Sequence, residues 1–295
     1  MPMRATCFHF RVKEVKRGKG RKRVLYVMRL EARFQAREDL VSSGAGNLPY
    51  WCGKDPVEFF AQADAHERVR GTVAKEITAA LPRSLPREAM DELIRLLISK
   101  VTQVSGVDGT GVHAYCFGFH LVRSSDGGSN PHVHLVWCER IDDGYRRDAR
   151  AYFSRAAART YKSRPRPGYD PASGGCRKSR RLAPFARAKN GSLASSPELL
   201  HLRHWWAEEC NRLLAKHGCN ERFSERSYRS RNLAKRPGVH RYDSSSQIER
   251  RGGHSVRAAR DRAAKLENAA RDLYDALQDH AARLPSKPRS KRGLR

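Results

Sequence analysis

The stretch Asn130-Pro131-His132-Val133-His134-Leu135-Val136-Trp137 places two histidines one residue apart inside an apolar run of strand character. Successive strand side chains alternate between faces, so His132 and His134 project to one side. Tyr115–Val122 reads as a second strand, and the turn-rich segment Ser124 to Asn130 connects the two as a hairpin. With that hairpin centred near Gly127, His120 falls opposite His134 and Val122 opposite His132. Three imidazoles then share one face. The other face carries Phe117, Phe119, Leu121, Val133, Leu135 and Trp137, every one apolar. A sheet built this way has a core side and a chemical side, and a slip of one residue in either strand would break it. Three imidazoles with coordination positions left open suit a catalytic metal better than a closed structural one. Imidazole favours transition metals, while magnesium also suits phosphate-ester chemistry, where the ion need only polarise a phosphoryl oxygen.

Charge narrows the partner. The 295 residues carry a net charge of +28, and the pI is about 10.5. Such an excess predicts binding to a polyanion, because each phosphate contact releases a condensed counterion. Hydrophobic residues make up 39%, enough for a packed core. No run approaches the ~18–20 apolar residues that span a bilayer, and Met1–Phe10 lacks the apolar centre of a signal peptide. The seven cysteines are scattered with no C-x-x-C pair, which points to reduced thiols and a cytoplasmic setting.

Along the chain, residues 5–13 read as a first strand and Lys13–Arg23 as an exposed, mobile basic loop. Val24–Phe34 reads as one helix, Leu40–Tyr50 as a loop, and Asp55-Pro56 as the start of a helix reaching about Arg68. Lys75–Leu81 is a short strand. From Pro86 to about Val101, the positions Met90, Leu93, Ile94, Leu97, Ile98 and Val101 follow the helical period. Arg147–Tyr161 reads as a helix, residues 162–196 as a long surface loop, and Leu199–His217 as another helix. Composition changes near Asp243. Beyond it, Ser255–Leu284 reads as a charged, solvated helix and Lys287–Arg295 as a basic unstructured end. This divides the chain into residues 1–242 and a charged extension, 243–295.

Several blocks carry a resemblance. They are Leu25-Tyr26-Val27-Met28-Arg29; Ser43-Gly44-Ala45-Gly46-Asn47-Leu48-Pro49-Tyr50-Trp51; Lys75-Glu76-Ile77-Thr78-Ala79-Ala80-Leu81-Pro82; the hairpin from Asp126 to Leu135; and Glu139-Arg140-Ile141-Asp142-Asp143-Gly144. Gly174-Gly175-Cys176-Arg177-Lys178, Trp206-Ala207-Glu208 to Asn211-Arg212, and Arg236-Pro237-Gly238-Val239-His240 follow. In this order they resemble the MobA/MobL-type plasmid relaxases, members of the histidine–hydrophobic–histidine endonuclease superfamily, over residues 5–242.

The resemblance implies an α+β fold, a central antiparallel sheet flanked by helices. It implies metal-dependent nicking of single-stranded DNA at a plasmid transfer origin, through a 5′-phosphotyrosyl intermediate, with later rejoining of the strand. By position, Tyr26 is the nucleophile, with Tyr50 in reserve, and His120, His132 and His134 hold a divalent ion, Mg2+ or Mn2+. Glu76 takes an acid/base or metal-orienting role; the second acid that often follows it by two positions is Thr78 here. Arg21, Lys22, Arg23, Arg177, Lys178, Arg180 and Arg181 are expected to hold DNA. Accessory mobilisation proteins and a type IV coupling protein are the implied partners, in a bacterial cytoplasm without membrane insertion. Two other readings share these residues: a single-tyrosine replication initiator or transposase of the same superfamily, and a catalytically inactive DNA-binding relative.

Overall fold

In a computed structural model the chain is described over residues 4–5, 9–35, 39–105, 111–123, 128–158, 160–161, 164–165, 167–179, 182, 186–187, 193–239, 245, 248–249 and 251–283. Two compact units divide between Phe223 and Ser224. The larger is built on a six-stranded antiparallel sheet. Its strands are β1 (Phe10–Lys16), β2 (Leu40–Gly46), β3 (Thr72–Ala80), β4 (Gln103–Val104), β5 (Gly111–Arg123) and β6 (Ser129–Asp142). They run in the order β1-β3-β6-β5-β2, with β4 pairing β5 off that path. The expected α+β architecture, an antiparallel sheet flanked by helices, is what forms.

Helices cover both faces. On one, α3 (Arg87–Thr102) and α5 (Pro197–Lys216) bury Leu93, Leu97, Leu202 and Trp206 against Ile77, Phe119, Val133, Leu135 and Trp137. The helical-period stripe of α3 therefore meets the period-two stripe of the strands. On the other face, α1 (Gly20–Val27) and α2 (Pro56–His66) pack Val24, Val27, Phe59 and Phe60 against Ala74, Cys116, Val136 and Cys138. The histidine-bearing face is thus largely a second core, and only its end toward the hairpin turn is free for chemistry. Leu121, expected in the apolar layer, lies beyond both cores and is 44% exposed.

The hairpin register also differs from expectation. His120 pairs with His132, and His134 with Gly118. The shift is two residues, so parity and face are retained. The turn residues 124–127, from which the register was judged, lie outside the described set.

Four local expectations fail for identifiable reasons. The Lys13–Arg23 segment is ordered: Lys13 and Lys16 belong to β1, and α1 begins at Gly20. Asp64 of α2 organises that start, its carboxylate accepting from the amides of Gly18, Gly20 and Arg21 at 2.7–3.0 Å. This caps α1 from outside the helix and opposes its dipole. The helix expected over Val24–Phe34 stops at Val27, because Arg29 turns left-handed (φ 56°); a single helical turn, Ala32–Gln35, follows. Leu40–Gly46 is a strand, not a loop. A Cβ on Gly44 would lie 2.8 Å from Phe117, and one on Gly46 would lie 2.6 Å from the Tyr115 hydroxyl, so small residues let these rings lie over the strand. Finally, only α4 (Ala149–Tyr152) is helical within 147–161. Arg140 takes the carbonyls of Tyr152, Phe153 and Ser154, which a longer helix would need for its own bonds.

In the smaller unit, α6 (Val256–Arg283) is mostly exposed. Asp261 accepts from the Val239 amide, and Asn268 exchanges hydrogen bonds with the Arg236 backbone. The Lys287–Arg295 end lies outside the described residues. No helix among them is long and apolar enough to cross a membrane.

Candidate active site

Neighbouring strands bring the three histidines together. The His120–His132 rung supplies two, and His134 lies one step along the same face of β6. Ring centroids are 5.4 Å apart for His120–His132, 5.0 Å for His120–His134 and 5.1 Å for His132–His134. One nitrogen from each ring falls within 4.8 Å of the others. Burial, reinforced by the neighbouring imidazoles, lowers the pKa of His120 to about 3 and that of His132 to about 4. Burial lowers His134 as well, against the opposing pull of Glu76. Neutral imidazoles keep the lone pair that a metal requires.

Each ring is also oriented. His134 Nδ1 bonds Glu76 Oε1 at 2.7 Å, and His132 Nδ1 bonds the Asn130 carbonyl at 2.9 Å, leaving Nε2 of both rings for a ligand. His120 Nε2 bonds the Val27 carbonyl at 2.8 Å, while its Nδ1 faces the Arg29 guanidinium at 3.2 Å. The set fits a divalent ion in number and spacing, through Nε2 of His132 and His134. At His120 the ion would have to displace Arg29 from Nδ1 or the Val27 carbonyl from Nε2.

Glu76 is fully buried under His134. Arg23 pairs with its Oε1, and the Lys13 ammonium lies 3.0 Å from Oε2, outside hydrogen-bond geometry. Burial alone would raise this carboxyl's pKa. The His134 hydrogen bond and the Arg23 charge outweigh it and hold the group ionised, well below the usual carboxylate range. Thr78, on the same face of β3, places its hydroxyl 3.2 Å from His134 Nδ1. The position expected to carry a second acid therefore still reaches the ring.

Tyr26 stands at the end of α1 beside this centre. Its ring centre lies 6.1 Å from that of His134. The guanidinium carbons of Arg23 and Arg29 lie 4.5 and 4.6 Å from the Tyr26 ring centre. Two residues set this placement and were not among the sequence candidates. Arg29 bonds Asp39 through Nε at 2.9 Å and Nη2 at 3.0 Å, and bonds the Tyr26 carbonyl at 2.7 Å. Gly118 lets the end of α1 approach the sheet, since a Cβ there would sit 2.2 Å from the Val27 carbonyl oxygen. A glycine inside a strand does signal a close backbone approach; Arg29 gave no such signal.

The reserve tyrosine, Tyr50, follows β2 at the end where Gly46 pairs with Tyr115, far along the sheet from His120. Among the expected DNA-binding residues, Arg21 and Lys22 are exposed on α1 and Arg177 is half-buried. Arg23 is engaged by Glu76. Lys178 is held internally, donating to the Thr72 carbonyl at 2.6 Å and pairing with Glu67 at 3.0 Å. Arg180 and Arg181 lie outside the described residues.

Known proteins resemble this chain along most of its length. The 43 kDa relaxation protein of Salmonella typhimurium is 39% identical over 153 residues, covering 50% of this chain and 39% of that protein. Mobilization protein A of Escherichia coli is 27% identical over 276 residues, covering 92% of this chain and 34% of that protein. A probable mobilization protein MobA of Bifidobacterium longum is 27% identical over 237 residues, covering 78% and 39% respectively. The chain therefore spans little more than a third of the length of these relatives. The model of the MobA/MobL family matches residues 29–251, beginning just after Tyr26. With most of its length matched, the chain belongs to the MobA/MobL family.

Proposed function

We propose that the chain is a relaxase domain that nicks single-stranded DNA at a plasmid transfer origin during mobilisation. In this reading Tyr26 becomes joined to the 5′ phosphate. The observation that carries it is the Tyr26 ring lying within 4.6 Å of two guanidinium carbons and 6.1 Å from the ring of His134 in the three-histidine cluster. The family membership and the names of the relatives support the plasmid setting.

A phenol is a poor nucleophile toward a phosphodiester at neutral pH, since its pKa is near 10 and the diester is itself anionic. The chain's residues address both difficulties. Arg23 and Arg29, each paired with a carboxylate (Glu76 and Asp39), fix the Tyr26 ring beside the histidines and keep N–H donors next to where the phosphate would lie. Glu76 holds His134 through Nδ1, which fixes the tautomer and presents Nε2, so Glu76 orients and does not exchange protons. His120, His132 and His134 would hold the divalent ion, Mg2+ or Mn2+, which supplies charge withdrawal from the scissile phosphate. The Tyr26 hydroxyl gives its proton to solvent as its oxygen bonds phosphorus. The bond from phosphorus to the 3′ oxygen breaks, and that oxygen takes up a proton to leave a free 3′ hydroxyl. The new phosphotyrosyl ester retains the energy of the broken one, so the 3′ hydroxyl reverses the step when the strand is rejoined. Accessory mobilisation proteins and a type IV coupling protein are the partners this role calls for, in a bacterial cytoplasm.

Incubating the chain with a nick-site oligonucleotide and Mn2+ tests the reading. Wild type is expected to give a covalent adduct that maps to Tyr26 by mass spectrometry. Tyr26→Phe should bind the same strand and form none. An adduct on another tyrosine overturns the assignment, and binding without any adduct points to an inactive DNA-binding relative.

A further inference from the structure

Two of the sequence blocks play no part at the histidines, yet the fold brings them together. Leu48, Pro49 and Tyr50 from one, and Asp142, Gly144, Tyr145, Arg146 and Arg147 at and just beyond the other, line a pocket of about 490 Å³ floored by Tyr152. Its size lies within the range of small-ligand sites. The pocket adjoins the far end of the central hairpin, where Asp142 pairs with Val112. His120 is eight positions beyond Val112 along β5, about 26 Å of strand, so this is not an annex of the histidine centre.

Its lining has two characters. At the mouth, Tyr50 and Tyr145 are 55% and 46% exposed, and the Arg146 guanidinium carbon sits 4.4 Å from the Tyr50 ring centre. Exposed aromatic rings backed by arginine form a stacking platform beside a phosphate-seeking charge. At the floor, Tyr152 is only 2% exposed and its hydroxyl points into the core, sealed from the pocket. Asp142 adds an acceptor to the wall, whereas Asp143 is already neutralised by Arg147. The occupant that matches these features is flat and aromatic, has a polar edge, and is linked to an anion.

We propose that this pocket receives one unstacked nucleobase of the bound single strand. The base lies against Tyr50 and Tyr145, its polar edge meets Asp142, and its phosphate faces Arg146. The inference rests on the reading of the chain as a single-strand-binding relaxase, and it assigns the pocket to substrate recognition at a distance from the nick. Extruding a base is inexpensive in a strand that is already unpaired.

An abasic scan tests it. A strand is selected by the 295-residue chain from a randomised single-stranded oligonucleotide pool, and each nucleotide is replaced in turn by an abasic residue. Wild type should show one position where base removal weakens binding about tenfold, the loss of one stacked base. In Tyr50→Ala or Tyr145→Ala that position should become nearly neutral. In Asp142→Ala, base removal should still weaken binding but preference among the four bases there should fall. A flat wild-type scan, or a sensitive position that the tyrosine variants leave unchanged, overturns the pocket. The relaxase reading then still stands if the same strand forms the Tyr26 adduct. Absence of both single-strand binding and adduct overturns the two together.

Discussion

The sheet buries two glutamates among cations, and the two clusters have opposite characters. Glu67 meets Arg140 and Lys178; Glu76 meets Arg23, Lys13 and His134. Around Glu67 the donors are saturated. Arg140 bonds both Glu67 oxygens and the carbonyls of Tyr152, Phe153, Ser154 and Cys176. Burial alone would raise the Glu67 pKa, but Arg140 and Lys178 hold it below the ordinary value. This cluster ties α4 and the 174–178 segment to β6, and little valence is left over. Around Glu76 the pattern is open. His134 keeps a free Nε2, and Arg23 also flanks the Tyr26 ring. One cluster organises loops and the other organises a reaction, and the difference lies in which partner atoms remain uncommitted.

The sharpest way to break this contrast is to remove the central cation of the closed cluster. Arg140→Met leaves Glu67 buried beside Lys178 alone and frees several carbonyls. It should cost about 3–5 kcal/mol of stability, read from urea denaturation. A loss under about 1 kcal/mol would mean that water replaces the guanidinium and that the cluster is not closed. At the open cluster, Glu76→Gln keeps the shape and the acceptor but removes the charge that orients His134. Mn2+ affinity, followed by titration calorimetry, should fall about 10–100-fold, and the midpoint of thermal unfolding should fall as well, because Arg23 and Lys13 lose their buried counter-charge. Undiminished affinity would show that the Thr78 hydroxyl, 3.2 Å from the same nitrogen, suffices to orient the ring.

A third change acts on the backbone that carries Tyr26. Gly118→Ala sets a methyl against the Val27 carbonyl, which bonds His120. The fold should lose about 1–3 kcal/mol from overpacking, and the adduct yield should drop because the end of α1 is pushed off the sheet. Adduct formation at the wild-type rate would mean that Tyr26 reaches the phosphate from a helix not held against β5.

These residues mark how far the sequence could be read. Period-two alternation was enough to put His120, His132 and His134 on one face, because parity survives a register error of two. The register itself was not legible, since it depends on the turn at residues 124–127. Helix α3 was visible from its stripe. Strand β2 was not, because Ser-Ser-Gly-Ala-Gly has little strand propensity and is held by the Phe117 and Tyr115 rings of a strand seventy residues on. Charge was legible in sum and not in its distribution. Of the basic residues assigned to DNA, Arg23 and Lys178 are engaged by buried glutamates, which only long-range pairing reveals.

Arg29 separates the two roles of a residue, structural and chemical, at the smallest scale. Its φ of 56° is a conformation for which glycine is the usual choice, and a side chain there costs about 1–2 kcal/mol. The side chain offsets that cost through Asp39 and the Tyr26 carbonyl while standing over the Tyr26 ring. Arg29→Ala keeps the strained backbone and removes the contacts. Arg29→Gly removes the contacts and relieves the strain. Both should be less stable than wild type, with the glycine variant ahead of the alanine variant by about 1 kcal/mol in denaturant midpoint. Both should lose adduct yield equally, since the guanidinium is absent from each. Equal stability of the two would mean that the left-handed turn relaxes once the Asp39 pair is gone, making the ion pair, not the chain path, what ends α1 beside the histidines.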